Sequence, residues 1–482
     1  AADKPLFLYW GATWCPPCNQ VKATIFNRQD FIERSRAFVP VYVDGDRPGA
    51  QKVGARFHVN GYPTMLLFNP QGTELTRLPG EVAAAHYTQV LTLGMGAQRP
   101  VKEVVALALA DPKNAPATAL SENEWRLLAF YSWGTDQQQI VSKDGVGALL
   151  KKLADACPAE PAEVATRLRL KALAAADPPA ASKPDTASQA MLLALLADAP
   201  AARAQMDVLT NDATDIVRAL TFEGEPRRAE LLAAFTPAFQ RLEADTTLSR
   251  ADRLAALIAR VDLARIDTFE AGGGPEATTA LPAALLADVR EHAARVDREI
   301  TDGYERQAVI PSAAYVLRKA GLDSESDALL TNNLAKSHSP YYLMTALASN
   351  AKARGDSAGA LHWYEMAFDR SEGPATRLQW GASYVNALVD LAPQDEARIE
   401  KAAGALFAEA GKQTDAFYER SGSSLKRVGS KLRDWNGKGR HGAVMARLQT
   451  QVDGICAALG AADPKRAACE ALLKPPAATP TT

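Results

Sequence analysis

At 482 residues the chain is too long for one compact core, and its 47% hydrophobic and 23% charged residues suit a globular protein of roughly two to four domains. With 54 basic against 56 acidic residues the net charge is −2, which excludes a global field that draws in nucleic acid or an anionic membrane. No apolar run reaches the ~18 residues needed to cross a bilayer, so no membrane span is expected.

From Pro5 to about Leu78, short β-type runs alternate with helical stretches. Leu6-Phe7-Leu8-Tyr9-Trp10 has the continuous apolar character of a strand buried on both faces. Pro16 opens a predicted helix reaching about Arg36, since proline is tolerated in a first turn. Residues 38–43 are a second strand closed by Asp44-Gly45-Asp46, which lacks the later ligands of a calcium loop and is a turn. A short helix over 49–57 follows, then a strand at Thr64-Met65-Leu66-Leu67-Phe68. Asn69-Pro70-Gln71-Gly72 is a hairpin turn into a fourth strand at 74–78, and 81–93 make a closing helix. The order βαβαββα is that of an α/β domain with one parallel crossover and one hairpin.

After about Gln98 the Ala- and Leu-rich sequence carries helical spacing only, which predicts a large all-α region. An Ala/Pro-rich stretch at 174–187 and Gly272-Gly273-Gly274-Pro275 mark breaks. The expected organisation is an α/β domain at 1–98, helical domains at 99–271 and 272–474, and a disordered tail at 475–482. Gly355-Asp356 followed by Ala360, Tyr364, Ala367 and Phe368 resembles half of a tetratricopeptide repeat, and Ala328, Leu334, Ala335 and Pro340 match loosely one repeat earlier. Helical repeats and a generic bundle both fit this spacing.

The chemistry concentrates at Trp14-Cys15-Pro16-Pro17-Cys18. C-x-x-C at a strand-to-helix junction brings two sulfurs within bonding reach. It also puts Cys15 at the helix N-terminus, where free N–H groups favour its thiolate. Cys18, one turn in, is placed to resolve a mixed disulfide. A zinc site needs four ligands, yet the six histidines are scattered singly and no second C-x-x-C exists, so neither metal nor cofactor is expected. Cys456 and Cys469 flank a predicted αα-hairpin turn. They are either a structural disulfide, which would imply an oxidising compartment, or two small buried apolar residues. Cys157 is free or cross-links to a partner.

The run Ala12-Thr13-Trp14-Cys15-Pro16-Pro17-Cys18 resembles the active-site signature of thioredoxin-fold reductases, notably the TlpA type. The flanks are similar to the catalytic domain of DsbD-type thiol reductases: Lys4-Pro5, Phe26, Phe31-Ile32, Val43-Asp44 and Gly61-Tyr62-Pro63-Thr64. The resemblance covers about residues 4–95. It implies that Pro63 is a cis-proline and that the Tyr62 backbone pairs with an extended client peptide; an ordinary trans-proline opening a strand is the alternative. Trp14, Tyr62 and Pro63 are thereby the expected substrate contacts, with Pro16 and Pro17 shaping the motif.

Two positions depart from thioredoxin itself. The buried acid six residues before the first cysteine is here Tyr9, and the lysine of the next strand is Tyr42. A phenol titrating near ~10 is a poor proton shuttle at neutral pH. Between the cysteines, Pro16-Pro17 lacks the cationic histidine of strongly oxidising donors, which favours a reducing or intermediate couple. The basic stretch from Lys426 to His441, with Trp435, is expected to be a solvated helix end rather than a nucleic-acid patch.

The expectation is a thiol–disulfide oxidoreductase of exported, periplasmic type, its small N-terminal residues matching what signal cleavage leaves. It would reduce or isomerise disulfide-containing protein substrates, take electrons from an upstream thiol–disulfide donor, and bind client or partner through its helical region. The alternative is a helical-repeat scaffold whose redox domain serves docking or sensing with little turnover.

Overall fold

The computed structural model describes residues 3–80, 82–110, 120–136, 139–141, 145–176, 185–267 and 280–474. The centres of both expected breaks and the tail at 475–482 lie outside these residues. The N-terminal α/β region consists of β1 (Leu6–Gly11), α1 (Pro16–Val21), a π-helical turn (Lys22–Phe26), α2 (Gln29–Ser35), β2 (Val39–Asp44), α3 (Ala50–Arg56), β3 (Thr64–Phe68), β4 (Glu74–Leu78) and α4 (Ala84–Met95). The sheet order is β2-β1-β3-β4. Hydrogen bonds from Val39 N to Pro5 O and from Gly45 N to Gly11 O keep one offset, so β1 and β2 run in the same direction, as a crossover through α1 and α2 requires. β3 and β4 pair antiparallel with Met65 opposite Leu78, through a turn in which Gly72 takes a φ of 87° that other residues rarely adopt.

One expected element differs. The single helix predicted over 16–36 is divided: the π-helical turn ends at Asn27, and Arg28 is extended (φ −76°, ψ 140°) before α2. A π turn holds more residues than an α turn, and this one seats Phe26 against Tyr9 (5.0 Å between ring centroids), Phe7 (6.2 Å) and Phe31 (4.8 Å, stacked). Burying that aromatic set outweighs helical continuity through a polar Asn-Arg pair.

Beyond Leu78 every regular element among the described residues is helical. The Cα packing divides the chain into two compact units. The first comprises Ala1–Tyr9, Cys15–Tyr42 and Pro63–Leu329. Its helical part has a core of residues such as Leu209, Ile216, Phe235 and Phe239, all fully buried. In this unit α1 packs on the helix Gly303–Lys319, and Gln20 donates to Asp252 at 3.2 Å. The second unit comprises Trp10–Trp14, Val43–Tyr62 and Leu330–Thr482. There, helices Pro340–Ala353 and Ser357–Arg370 are joined by Gly355 (φ 77°) and capped by Asp356, whose carboxylate accepts the Gly359 N–H at 2.8 Å. Ala360 and Ala367 are buried, so the two backbones approach closely.

Candidate active site

Cys15 is the N-cap residue of α1, with extended backbone angles (φ −71°, ψ 114°), and Pro16 and Pro17 occupy the first helical positions, where no N–H is needed. Cys15 and Cys18 are disulfide-bonded with Cα atoms 5.3 Å apart. The Cys18 backbone N–H points at Cys15 Sγ (3.2 Å), the geometry that stabilises a thiolate once the bond is reduced. Asn19, wholly buried, donates twice to the Cys15 carbonyl, from its backbone N–H (3.0 Å) and its side-chain amide (2.8 Å). Pro16 is buried and Pro17 exposed. Cys15 is 2% exposed and Cys18 0%, so the pair is shielded from solvent.

Tyr9, buried, donates to the Cys18 carbonyl at 3.4 Å and stacks on the more exposed Tyr42 (5.3 Å, 24°). Burial, with the neighbouring Tyr42 phenol, pushes the Tyr9 hydroxyl far above its ordinary value. It is a packing and hydrogen-bonding group, unable to relay protons at neutral pH. Lys22 lies over Tyr42 and Tyr304, 5.4 Å from each ring.

Within the second unit, Trp14 sits among groups brought from far along the chain. Its Nε1 donates to Asp46 (3.2 Å), and its ring stacks on Tyr342 (6.0 Å, 19°) and tilts against Trp380 (5.0 Å) and Tyr62 (6.3 Å). Asp46 also accepts from the Thr376 N–H (2.7 Å) and the Thr376 hydroxyl. Burial raises the Asp46 pKa despite these donors. The Gln51 amide donates to the Tyr62 hydroxyl (2.8 Å) and to Gly45 O (2.9 Å), and a Cβ at Gly45 would collide with that hydroxyl. Burial pushes the Tyr62 phenol up to about 12. Asp46, Tyr342, Trp380 and Arg420, whose guanidinium faces both Trp14 and Tyr62, were not singled out from the sequence for this site. Asp46 read only as part of a turn, and the others carry no motif.

The Tyr62–Pro63 bond is trans, which corrects the cis-proline that the resemblance implies; the one cis bond among the described residues is Glu160–Pro161. Trans is the lower state of an X–Pro bond by about 0.5–1 kcal/mol. Here Pro63 leads straight into β3 while the Tyr62 ring is held by Gln51.

Residues 1–94 match the family model of a thioredoxin-like domain. The chain carries a thioredoxin-like domain at its N-terminus. No curated protein and no solved structure matches the chain. The Cys15–Cys18 pair of this thioredoxin-like domain fits the C-x-x-C motif, and the region that follows it is helical.

The remaining singled-out residues fall elsewhere. Cys456 joins Cys469, both buried, with Cα atoms 5.7 Å apart. Cys157 is a buried free thiol whose pKa burial raises. The basic stretch is tied down internally: Lys431 pairs with Asp390, Arg433 donates to Leu472 O, and Trp435 stacks on His441 (3.7 Å). No group of three or more metal-ligating side chains occurs among the described residues, and no helix among them is long and apolar enough to cross a membrane.

Proposed function

We propose that the protein reduces or isomerises disulfides in exported protein substrates, with Cys15 as nucleophile and Cys18 as resolving thiol. The observation carrying this reading is Cys15 Sγ at the α1 N-cap, receiving the Cys18 N–H. In the reduced enzyme the Cys15 thiolate attacks one sulfur of a client disulfide. A Cys15–client S–S bond forms, the client S–S bond breaks, and the departing client thiolate takes a proton from water. The Cys18 thiolate, its proton lost to solvent because Tyr9 cannot accept it, then attacks Cys15 Sγ and releases the second client thiol. The client gains two electrons and two protons, and the Cys15–Cys18 pair is left oxidised. An upstream dithiol protein restores it. Trp14 and Tyr62 are the substrate contacts in this reading, and the TlpA- and DsbD-like residues favour a reducing couple in a periplasm.

A second reading, a helical scaffold with a redox domain of little turnover, is favoured by the 2% exposure of Cys15 and by the inability of Tyr9 to move protons. Insulin reduction by the full chain separates the two. Activity abolished by Cys15→Ser supports the reductase. Equal rates for wild type and variant support the scaffold. Cys18→Ser should accumulate mixed disulfides with clients, because attack survives while resolution does not.

A further inference from the structure

In the first unit, Ala23, Thr24 and Asn27, just beyond the redox helix, face the segment Thr246–Arg253 across a cavity of about 440 Å³. That volume lies within the range of small-ligand sites. Its lining is mostly polar, and it includes two arginines in different situations. Arg250 is neutralised by Glu305, which accepts at 3.0 and 3.2 Å. Arg253 is not: its Nε is buried without a hydrogen-bond partner, and its guanidinium has no ion-pair partner among the described residues.

The carboxylates close to it in the chain or in the cavity have other work. Asp252 accepts from the Ser249 hydroxyl at 2.7 Å and from the Gln20 amide at 3.2 Å. Asp302 caps its helix through the Glu305 N–H at 2.8 Å. A half-buried guanidinium whose Nε is shut off from water without a hydrogen-bond partner, and which has no carboxylate within ion-pair distance among the described residues, is incompletely satisfied, so the arrangement suits an anion supplied from outside. The lining also offers the Asn27 amide and the Thr246 hydroxyl, both on exposed residues, whereas the Thr24 and Ser249 hydroxyls already donate to Gln20 O and Asp252.

We propose that this cavity is a binding site for a small organic acid or phosphate ester, whose single oxyanion is held by Arg253 and hydrogen-bonded by Asn27 and Thr246. The planar fork of arginine matches both a carboxylate and a phosphate. Asp302 and Glu305, which also line the cavity, favour a ligand presenting one negative charge, a monocarboxylate or the monoanion of a phosphate group. A bound anion would tie residues 23–27, after the redox helix, to the two helices beginning at Arg250 and Gly303. The site is separate from the cysteine pair, and the proposal stands whether or not the redox reading does.

The test is thermal unfolding of the full chain titrated with sodium acetate and with sodium phosphate at constant ionic strength, against sodium chloride. The expected result is a saturable rise in Tm with at least one oxyanion and none with chloride, and the arm that responds identifies the chemistry. Arg253→Gln should weaken that binding about tenfold or more, and Arg253→Lys, which keeps the charge but loses the fork, should restore part of it. Equal response to chloride, no saturable response to either oxyanion, or unchanged affinity in Arg253→Gln overturns the proposal. If Arg253→Gln does not fold, the double variant Asn27→Leu/Thr246→Val at exposed positions decides: a loss of several-fold supports the site, and unchanged affinity overturns it.

Discussion

The guanidinium of Arg420 lies 5.0 Å from the ring of Trp14 and 5.2 Å from that of Tyr62, so a single cation bridges the residue before Cys15 and the residue before Pro63. Its Nε is fixed by Gln379 (2.6 Å) and its backbone N–H by Gln51 (3.1 Å). Each cation–π contact contributes about 0.5–2 kcal/mol. Trp14 can shift only if this cluster loosens. Arg420→Gln should therefore destabilise the protein by about 1–3 kcal/mol, within the sum of the two contacts. Denaturant unfolding measures this, and an unchanged midpoint would show that the two rings are held without the cation.

Tyr9 offers a test of how the second step handles its proton. A phenol with its pKa far above the ordinary value stays protonated at any working pH. Tyr9→Phe keeps the packing against Phe26 and Tyr42 and loses only the 3.4 Å bond to Cys18 O. Insulin-reduction rates between pH 6 and 9 should stay within about threefold of wild type, with the same pH profile. A displaced profile would restore a proton-transfer role to Tyr9.

Arg167, wholly buried, stacks 4.0 Å from the Phe130 ring and forms a two-pronged ion pair with Asp207, one arm at 2.9 Å. Asp207→Asn leaves a buried guanidinium without its counter-charge and should cost about 3–5 kcal/mol in denaturant unfolding. Burial acts to raise the Asp207 pKa, but Arg167 outweighs it and the carboxyl ends below its usual range. A depressed folded-state pKa gives stability that is complete above the unfolded value and is lost as pH falls through the folded one. Acid unfolding of the wild type should show this loss, and the Asp207→Asn variant should lack it.

His292 extends the pH dependence upward. Burial, then Arg295 and Arg253, lowers its pKa to about 4 from the ordinary 6.5. The folded state prefers the neutral ring, so stability should decline as pH falls from about 6.5 towards 4. His292→Gln should flatten that part of a Tm-against-pH curve.

The Cys456–Cys469 bond closes a short loop, the two residues being 13 apart in sequence. Loop-closure entropy at this length amounts to about 3 kcal/mol. Cys469→Ala should lower Tm by several degrees while leaving the thiol chemistry of Cys15 intact. An unchanged Tm would mean that the surrounding helices hold this corner unaided.

Much of the thioredoxin-like domain was legible along the chain because its signals are local. The strand at 64–68, the turn at Gly72 and the strand at 74–78 follow from short, continuously buried runs and turn chemistry within a few residues. The split of the helix after Phe26 was not legible. It depends on where Phe26 finds Phe7, Tyr9 and Phe31, a packing question that helical spacing cannot answer. The trans state of Pro63 belongs with it, since both isomers are open to any X–Pro bond and context chooses.

The position of the reactive pair is readable along the chain, because two residues between Cys15 and Cys18 after an apolar strand dictate a helix-mouth dithiol through backbone geometry alone. That Trp14 lies against Tyr342, Trp380 and Arg420, and that Arg253, beside a polar cavity, has no counter-charge among the described residues, depends on packing between distant segments. Spacing carries information over a turn or a strand. Contacts between residues hundreds of positions apart are set by how whole helices pack, and no short pattern encodes that.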